Sequence, residues 1–132
     1  MKKILFVCAE NAGRSQMAEA FFKKLGPENI VPISAGTIPS TKVNPIVVEA
    51  MNEIGIDISN QTPKSISDDM IKDSTTVNMG CMDKESCPAL FVDDIVVWQI
   101  PDPKGKSIEE VRKIRDTIQS NVEKLILDLQ EK

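Results

Sequence analysis

Cys8 and Arg14 bracket a short loop, Cys8-Ala9-Glu10-Asn11-Ala12-Gly13-Arg14-Ser15, that follows the apolar run Ile4-Leu5-Phe6-Val7. A loop between a strand and a helix can turn successive backbone N–H groups inward, and the helix dipole adds partial positive charge there. Arg14 can clamp two oxygens of a tetrahedral oxyanion with parallel charge-assisted bonds. The backbone of Glu10, Asn11, Ala12, Gly13 and Ser15 would complete the cradle. Gly13 is the expected position of any positive φ that the curl demands. Cys8, beneath this concentration of positive charge, is expected to react as a thiolate, a nucleophile aimed at phosphorus or arsenic. Glu10 adds a negative charge, so its side chain must point out of the cradle, to solvent or to a lysine. The plainer alternative is a buried strand-end cysteine followed by a surface arginine.

The chain has 132 residues, three cysteines (Cys8, Cys81, Cys87) and no histidine. The missing histidine excludes Cys–His nucleophiles and most zinc enzymes. Three thiols fall short of the four ligands that structural zinc usually takes, and no metal is expected here. An odd cysteine count in a chain read as cytoplasmic points to reactive thiols.

Positioning these groups requires a scaffold. Lys3 to Val7 reads as a buried parallel strand and Arg14 to Leu25 as an amphipathic helix, with Met17, Phe21 and Leu25 on one face beside Ala20. Ile30 to Ala35 reads as a second strand, closed by Gly36. Asn44-Pro45 opens a helix, with an N-cap side chain and proline at the first helical position, that runs through Ile54 to Gly55. Thr75 to Met79 and Asp94 to Ile100 are the third and fourth strands. Ser107 and Glu110 form a capping box for a last helix striped by Ile108, Val111, Ile114, Ile118, Val122, Leu125 and Leu129. Alternating strands and helices imply parallel pairing and right-handed crossovers. The expected fold is a single α/β domain over residues 1–132, a three-layer arrangement with a four-stranded parallel sheet and helices on both faces. Ligands bind outside the carboxyl ends of such strands, where the Cys8 loop, Cys81 and Asp102 should meet.

Composition narrows the partners. Sixteen basic and twenty acidic residues give a net charge of −4. With no basic cluster, nucleic acid is an unsuitable partner. No apolar run approaches the roughly 18 residues a membrane span needs. The chain is expected to be a cytoplasmic monomer that binds a small anion.

Cys8-x5-Arg14-Ser15 resembles the signature of the low-molecular-weight tyrosine phosphatase superfamily, and Ser15-Gln16-Met17-Ala18-Glu19-Ala20 is similar to its thioredoxin-coupled arsenate reductase branch. Ser34-Ala35-Gly36, Val43-Asn44-Pro45, Ile56-Asp57-Ile58-Ser59, Asp102-Pro103 and the pair Cys81 and Cys87-Pro88 extend the similarity along the chain. The resemblance implies that Asp102, stiffened by Pro101 and Pro103, acts as the acid. It also implies attack by Cys8 on arsenate, a Cys8–Cys81 disulfide, transfer to Cys81–Cys87, and regeneration by thioredoxin or a similar dithiol with no bound cofactor. A phosphatase would need only Cys8, Arg14 and Asp102; a binding protein without turnover is a third reading. A segment from about Gly80 to Phe91 is expected to rearrange as the second disulfide closes, since six residues of regular helix would hold the thiols roughly 10 Å apart.

Three departures from the family pattern stand out. Gly13 stands where many arsenate reductases carry a further cysteine. Asn11, Glu19 and Ser34 match a potassium site of some relatives, but Lys64 replaces its aspartate, so no potassium dependence is expected. The chain has no tyrosine, although phosphatases of the family usually carry a tyrosine pair near the acid loop.

Overall fold

β1 (Lys2–Cys8) is buried without interruption from Ile4 to Cys8, the pattern of a strand covered on both faces of a parallel sheet. In the computed structural model, which describes residues 2–72, 74–79 and 95–130, β1 pairs in parallel with β2 (Ile30–Gly36) on one side and β3 (Ser74–Asn78) on the other. β4 (Ile95–Val97) adds to β3, giving the order β2-β1-β3-β4. From β1 the chain first crosses to β2 through α1 (Arg14–Leu25). It then returns past β1 through α2 (Pro45–Asn52) and α3 (Asp68–Ile71) to β3, and ends in α4 (Ile108–Gln130). This reversal opens a crevice at the carboxyl end of β1.

The two sheet faces are covered unequally. Ile4, Phe6 and Cys8 share one core with Met17, Phe21 and Phe22 of α1, Val47 and Met51 of α2, and Val111, Ile118 and Val122 of α4. Leu5, Val7 and Ala35 face the other way, onto Ile66, Met70 and Ile71. Helices therefore lie on both faces, as expected, but among the described residues the second face carries only the four-residue α3, which sequence periodicity did not announce.

Local signals explain the element ends. Asn44 Oδ1 accepts the Ile46 N–H at 3.1 Å and Pro45 opens α2; the helix stops at Asn52, short of Ile54. Ser107 Oγ accepts the Glu110 N–H at 3.3 Å, but Glu110 returns its carboxylate to the Ser107 hydroxyl rather than to its amide. Half of the expected capping box is therefore present. The expected α1 face also needs correction: Met17 and Phe21 are buried, but Leu25 is 42% exposed and Phe22 is buried instead. At about 100° per residue Leu25 still falls between Phe21 and Phe22 around the helix, so its exposure reflects its place as the last residue of α1 rather than its face.

Candidate active site

The turn after β1 is held from outside by its own carbonyls. Ile38 N–H donates to Ala9 O at 2.8 Å, Ser40 N–H to Glu10 O at 2.9 Å, and Asn44 N–H to Ala12 O at 2.8 Å. With these oxygens engaged on the outer side, Cys8, Ala12, Gly13 and Arg14 line a cavity of about 300 Å³. Gly36 lets the loop lie this close to β2, since a Cβ there would stand 2.6 Å from Ala9 O and 2.9 Å from Asn11 N.

The curl places its positive φ at Asn11 (53°), not at Gly13, whose φ is −144°. Asparagine tolerates this region because its short side chain can bond locally. Here the carboxamide bonds on both its nitrogen and its oxygen. Its Nδ2 donates to Ser15 Oγ at 2.7 Å, and its Oδ1 accepts from Gln16 Nε2 at 3.0 Å and from the Lys64 N–H at 2.8 Å. Gln16 Nε2 also reaches the Asn11 carbonyl at 3.2 Å and Thr62 O at 3.3 Å. Gln16 and Thr62 were not picked out from the sequence; the available signal was the polar Gln16 directly after Ser15 in the first turn of α1.

Cys8 is a free, buried thiol. Its Sγ accepts the Asn11 N–H at 3.2 Å and lies 2.9 Å from Ser15 Oγ. Ser15 already accepts a bond from Asn11, so its hydroxyl hydrogen is available for the sulfur. The Asn11 N–H and the Ser15 hydroxyl thus converge on the Cys8 sulfur.

Arg14 is buried rather than a surface helix residue, which removes the plainer alternative. Its Nη1 donates to Ile100 O at 3.0 Å, while Nη2 lies 3.8 Å from Asp102 Oδ2. Asp102 is half exposed on the cavity rim, and its Oδ1 accepts the Lys104 N–H at 3.0 Å. Glu10 pairs its Oε1 with Lys104 Nζ at 3.0 Å, a lysine partner of the kind expected, and both residues line the cavity. That hydrogen bond and the charge of Glu10 hold the Lys104 ammonium above its ordinary value. The structure thus brings Cys8, Glu10, Asn11, Ala12, Gly13, Arg14, Ser15 and Asp102 to one end of the sheet. Cys81 and Cys87, and the segment expected to rearrange, lie outside the described residues.

Two features of the potassium set stand against a cation at Asn11. Both acceptor positions of Asn11 Oδ1 are taken, and Lys64 brings its own positive charge. Burial pushes the Glu19 carboxyl above its ordinary value, and the nearby Lys64 ammonium opposes that shift.

Comparison with known proteins agrees with this geometry. A glutaredoxin arsenate reductase of Synechocystis sp. is 40% identical over 128 residues, 96% of this chain and 97% of its own. An arsenate reductase of Staphylococcus aureus is 40% identical over 124 residues, 92% of this chain and 94% of its own. A solved arsenate reductase in the phosphate-binding state superposes with a TM-score of 0.85 at 38% identity, over 97% of this chain and 98% of that one. The thioredoxin-dependent arsenate reductase of Corynebacterium glutamicum gives 0.81 at 30% identity, over 98% of this chain and 62% of that one. The YwlE arginine phosphatase, in a mutant with a phosphorylated active-site serine, gives 0.86 at 26% identity, over 97% and 95%. Residues 3–132 match one family model, and with these relatives the chain belongs to the low molecular weight phosphotyrosine protein phosphatase family.

Proposed function

We propose that this protein reduces arsenate to arsenite through a relay of thiols that begins at Cys8. The observation that carries the reading is the Cys8 sulfur under two hydrogen-bond donors at the floor of a cavity lined by Arg14 and Asp102. Arg14 and the loop amides hold the oxyanion and stabilise charge developing on it. The Cys8 thiolate forms a bond to arsenic as one arsenic–oxygen bond breaks, and Asp102 gives the departing oxygen its proton. Cys81 then attacks the Cys8 sulfur. A disulfide forms, the sulfur–arsenic bond breaks, and its electron pair stays on arsenic, which leaves as arsenite. Cys87 attacks Cys81 and frees Cys8, and an external dithiol reduces the resulting Cys81–Cys87 bridge by exchange.

Topology supports the second step. Met79, two residues before Cys81, donates its N–H at 2.7 Å to the carbonyl of Val7, the neighbour of Cys8. The dithiol is proposed to be thioredoxin; the Corynebacterium relative is thioredoxin-dependent, whereas the Synechocystis relative bears a glutaredoxin name. A compartment that keeps thiols reduced suits the relay, so a cytoplasmic monomer is proposed. Phosphomonoester hydrolysis is the second reading, favoured by Asp102 beside Arg14, because the same attack on phosphorus needs no further thiol.

The test compares arsenate-dependent NADPH oxidation, coupled through thioredoxin or glutaredoxin and their reductants, with hydrolysis of an aryl phosphate. Cys8→Ser abolishes both. Cys81→Ser and Cys87→Ser abolish only sustained arsenate reduction. Aryl phosphate turnover with no arsenate-dependent oxidation under either donor would select the phosphatase reading.

A further inference from the structure

The segment carrying Asp102 is docked on the oxyanion loop at three points. Arg14 Nη1 holds Ile100 O. Pro103 is buried and sits so close to Gly13 that a Cβ on that glycine would lie 2.7 Å from its Cγ. Lys104 Nζ meets Glu10 Oε1 at 3.0 Å, joining residues 94 positions apart. Lys104 also gives its backbone N–H to Asp102 Oδ1, so whatever fixes Lys104 also restrains the carboxylate.

The geometry points to Glu10, Gly13 and Lys104 as positioning residues: an ionic clasp and a close backbone contact that hold Asp102 over the oxyanion cavity. This inference rests on the proposed role of Asp102 as proton donor. Glu10 is the only acidic residue in the oxyanion loop, and its charge opposes anion binding. Its pairing with Lys104 neutralises that charge and converts it into a tether. Gly13 serves the same end by leaving space for Pro103, rather than by supplying a positive φ.

A clasp and a simple field effect predict different signs. If Glu10 and Lys104 acted only through their charges, Glu10→Gln would favour anion turnover and Lys104→Gln would oppose it. A clasp is broken by either change, so both lower kcat.

The experiment compares Glu10→Gln, Lys104→Gln, the exchanged pair Glu10→Lys with Lys104→Glu, and Gly13→Ala. Amide exchange at Lys104 and Lys106, both hydrogen-bonded within the turn, is read by NMR. Turnover is read with arsenate, phenyl phosphate and 4-nitrophenyl phosphate. Exchange should rise, and kcat fall, by about two- to fivefold in both single variants, the range open to an exposed ion pair. The loss should be larger for phenyl phosphate, whose poorer leaving group depends more on a placed acid. The exchanged pair should restore both readouts, and Gly13→Ala should reproduce the single-variant losses without changing any charge. Unchanged exchange in both single variants, or kcat shifts of opposite sign, would overturn the clasp. Wild-type protein that turns over neither arsenate nor aryl phosphate would instead sink the functional reading, and the exchange measurements would still decide the clasp.

Discussion

Ser15 stands between two demands, accepting from Asn11 Nδ2 and facing Cys8 Sγ. Accepting the first bond leaves its hydrogen free for the second, so Asn11 bears on the Cys8 sulfur both through its own N–H and through Ser15. A hydrogen bond to a charged partner is worth about 1.5–3 kcal/mol, or roughly tenfold and more in an equilibrium. Ser15→Ala is therefore expected to slow alkylation of Cys8 by iodoacetamide at neutral pH by about tenfold, while Asn11 and Gln16 keep the loop folded. An unaltered alkylation rate would remove Ser15 from the thiolate's support. Lys64 gives a second prediction at this scale. Its N–H fills one acceptor position of Asn11, and its ammonium bears on Glu19. Catalytic efficiency and melting temperature should thus be the same in potassium and sodium salts of equal ionic strength. A specific rise in potassium would refute the assignment. The residue types at this site were readable in the sequence, as was a lysine partner for Glu10. The bond from Gln16 to Thr62 was not, because it joins positions 46 residues apart through a turn with no periodicity.

At the scale of elements, α2 and α4 meet through Glu53. Its carboxylate takes two bonds from Arg112 Nε, at 2.9 and 3.2 Å, and one from Nη2 at 2.6 Å. Arg115 Nη1 adds another at 3.1 Å while also donating to Ala50 O at the end of α2 at 2.8 Å. The Arg112 hydrogen bonds hold the Glu53 carboxyl below its ordinary value, against a smaller opposing effect of burial. A lowered folded-state value contributes stability that is present above the unfolded value and lost as pH falls through the folded one. The melting temperature of Glu53→Gln should therefore trail that of the wild type most at neutral pH, with the gap narrowing through the acid carboxylate range. A gap independent of pH would show that the ion pair is not its source. The helices themselves were legible from the Asn44-Pro45 start and the α4 stripe. Their junction was not, since Glu53 and Arg112 look like ordinary solvated charges until α2 and α4 pack together. α3 escaped notice for another reason: four residues are too few to show a helical period.

The order proposed for the three thiols is a question for the whole molecule. The sequence supplies their identity; how near chain connectivity can hold each to Cys8 depends on the strand order β2-β1-β3-β4, which no local pattern encodes. β1 and β3 are neighbours, with Val7 in register with Asn78, so β3 ends beside Cys8. Two residues of chain reach at most about 7 Å, which ties Cys81 closely to Met79 and hence to the Cys8 end of the sheet. Cys87 lies six residues further on, and the same arithmetic allows it roughly 20 Å of additional reach. Disulfide partners must bring their Cα atoms within about 7 Å. Chain connectivity therefore restrains Cys81 far more tightly toward Cys8 than it restrains Cys87. One equivalent of arsenate added to reduced Cys87→Ser should yield one equivalent of arsenite and a Cys8–Cys81 disulfide, identified by peptide mass spectrometry. The same addition to Cys81→Ser should yield neither arsenite nor a Cys8–Cys87 bridge on that timescale. Equal rates of bridge formation in the two variants would mean that Cys87 reaches Cys8 as readily as Cys81 does, and the order of the relay would not follow from the sheet.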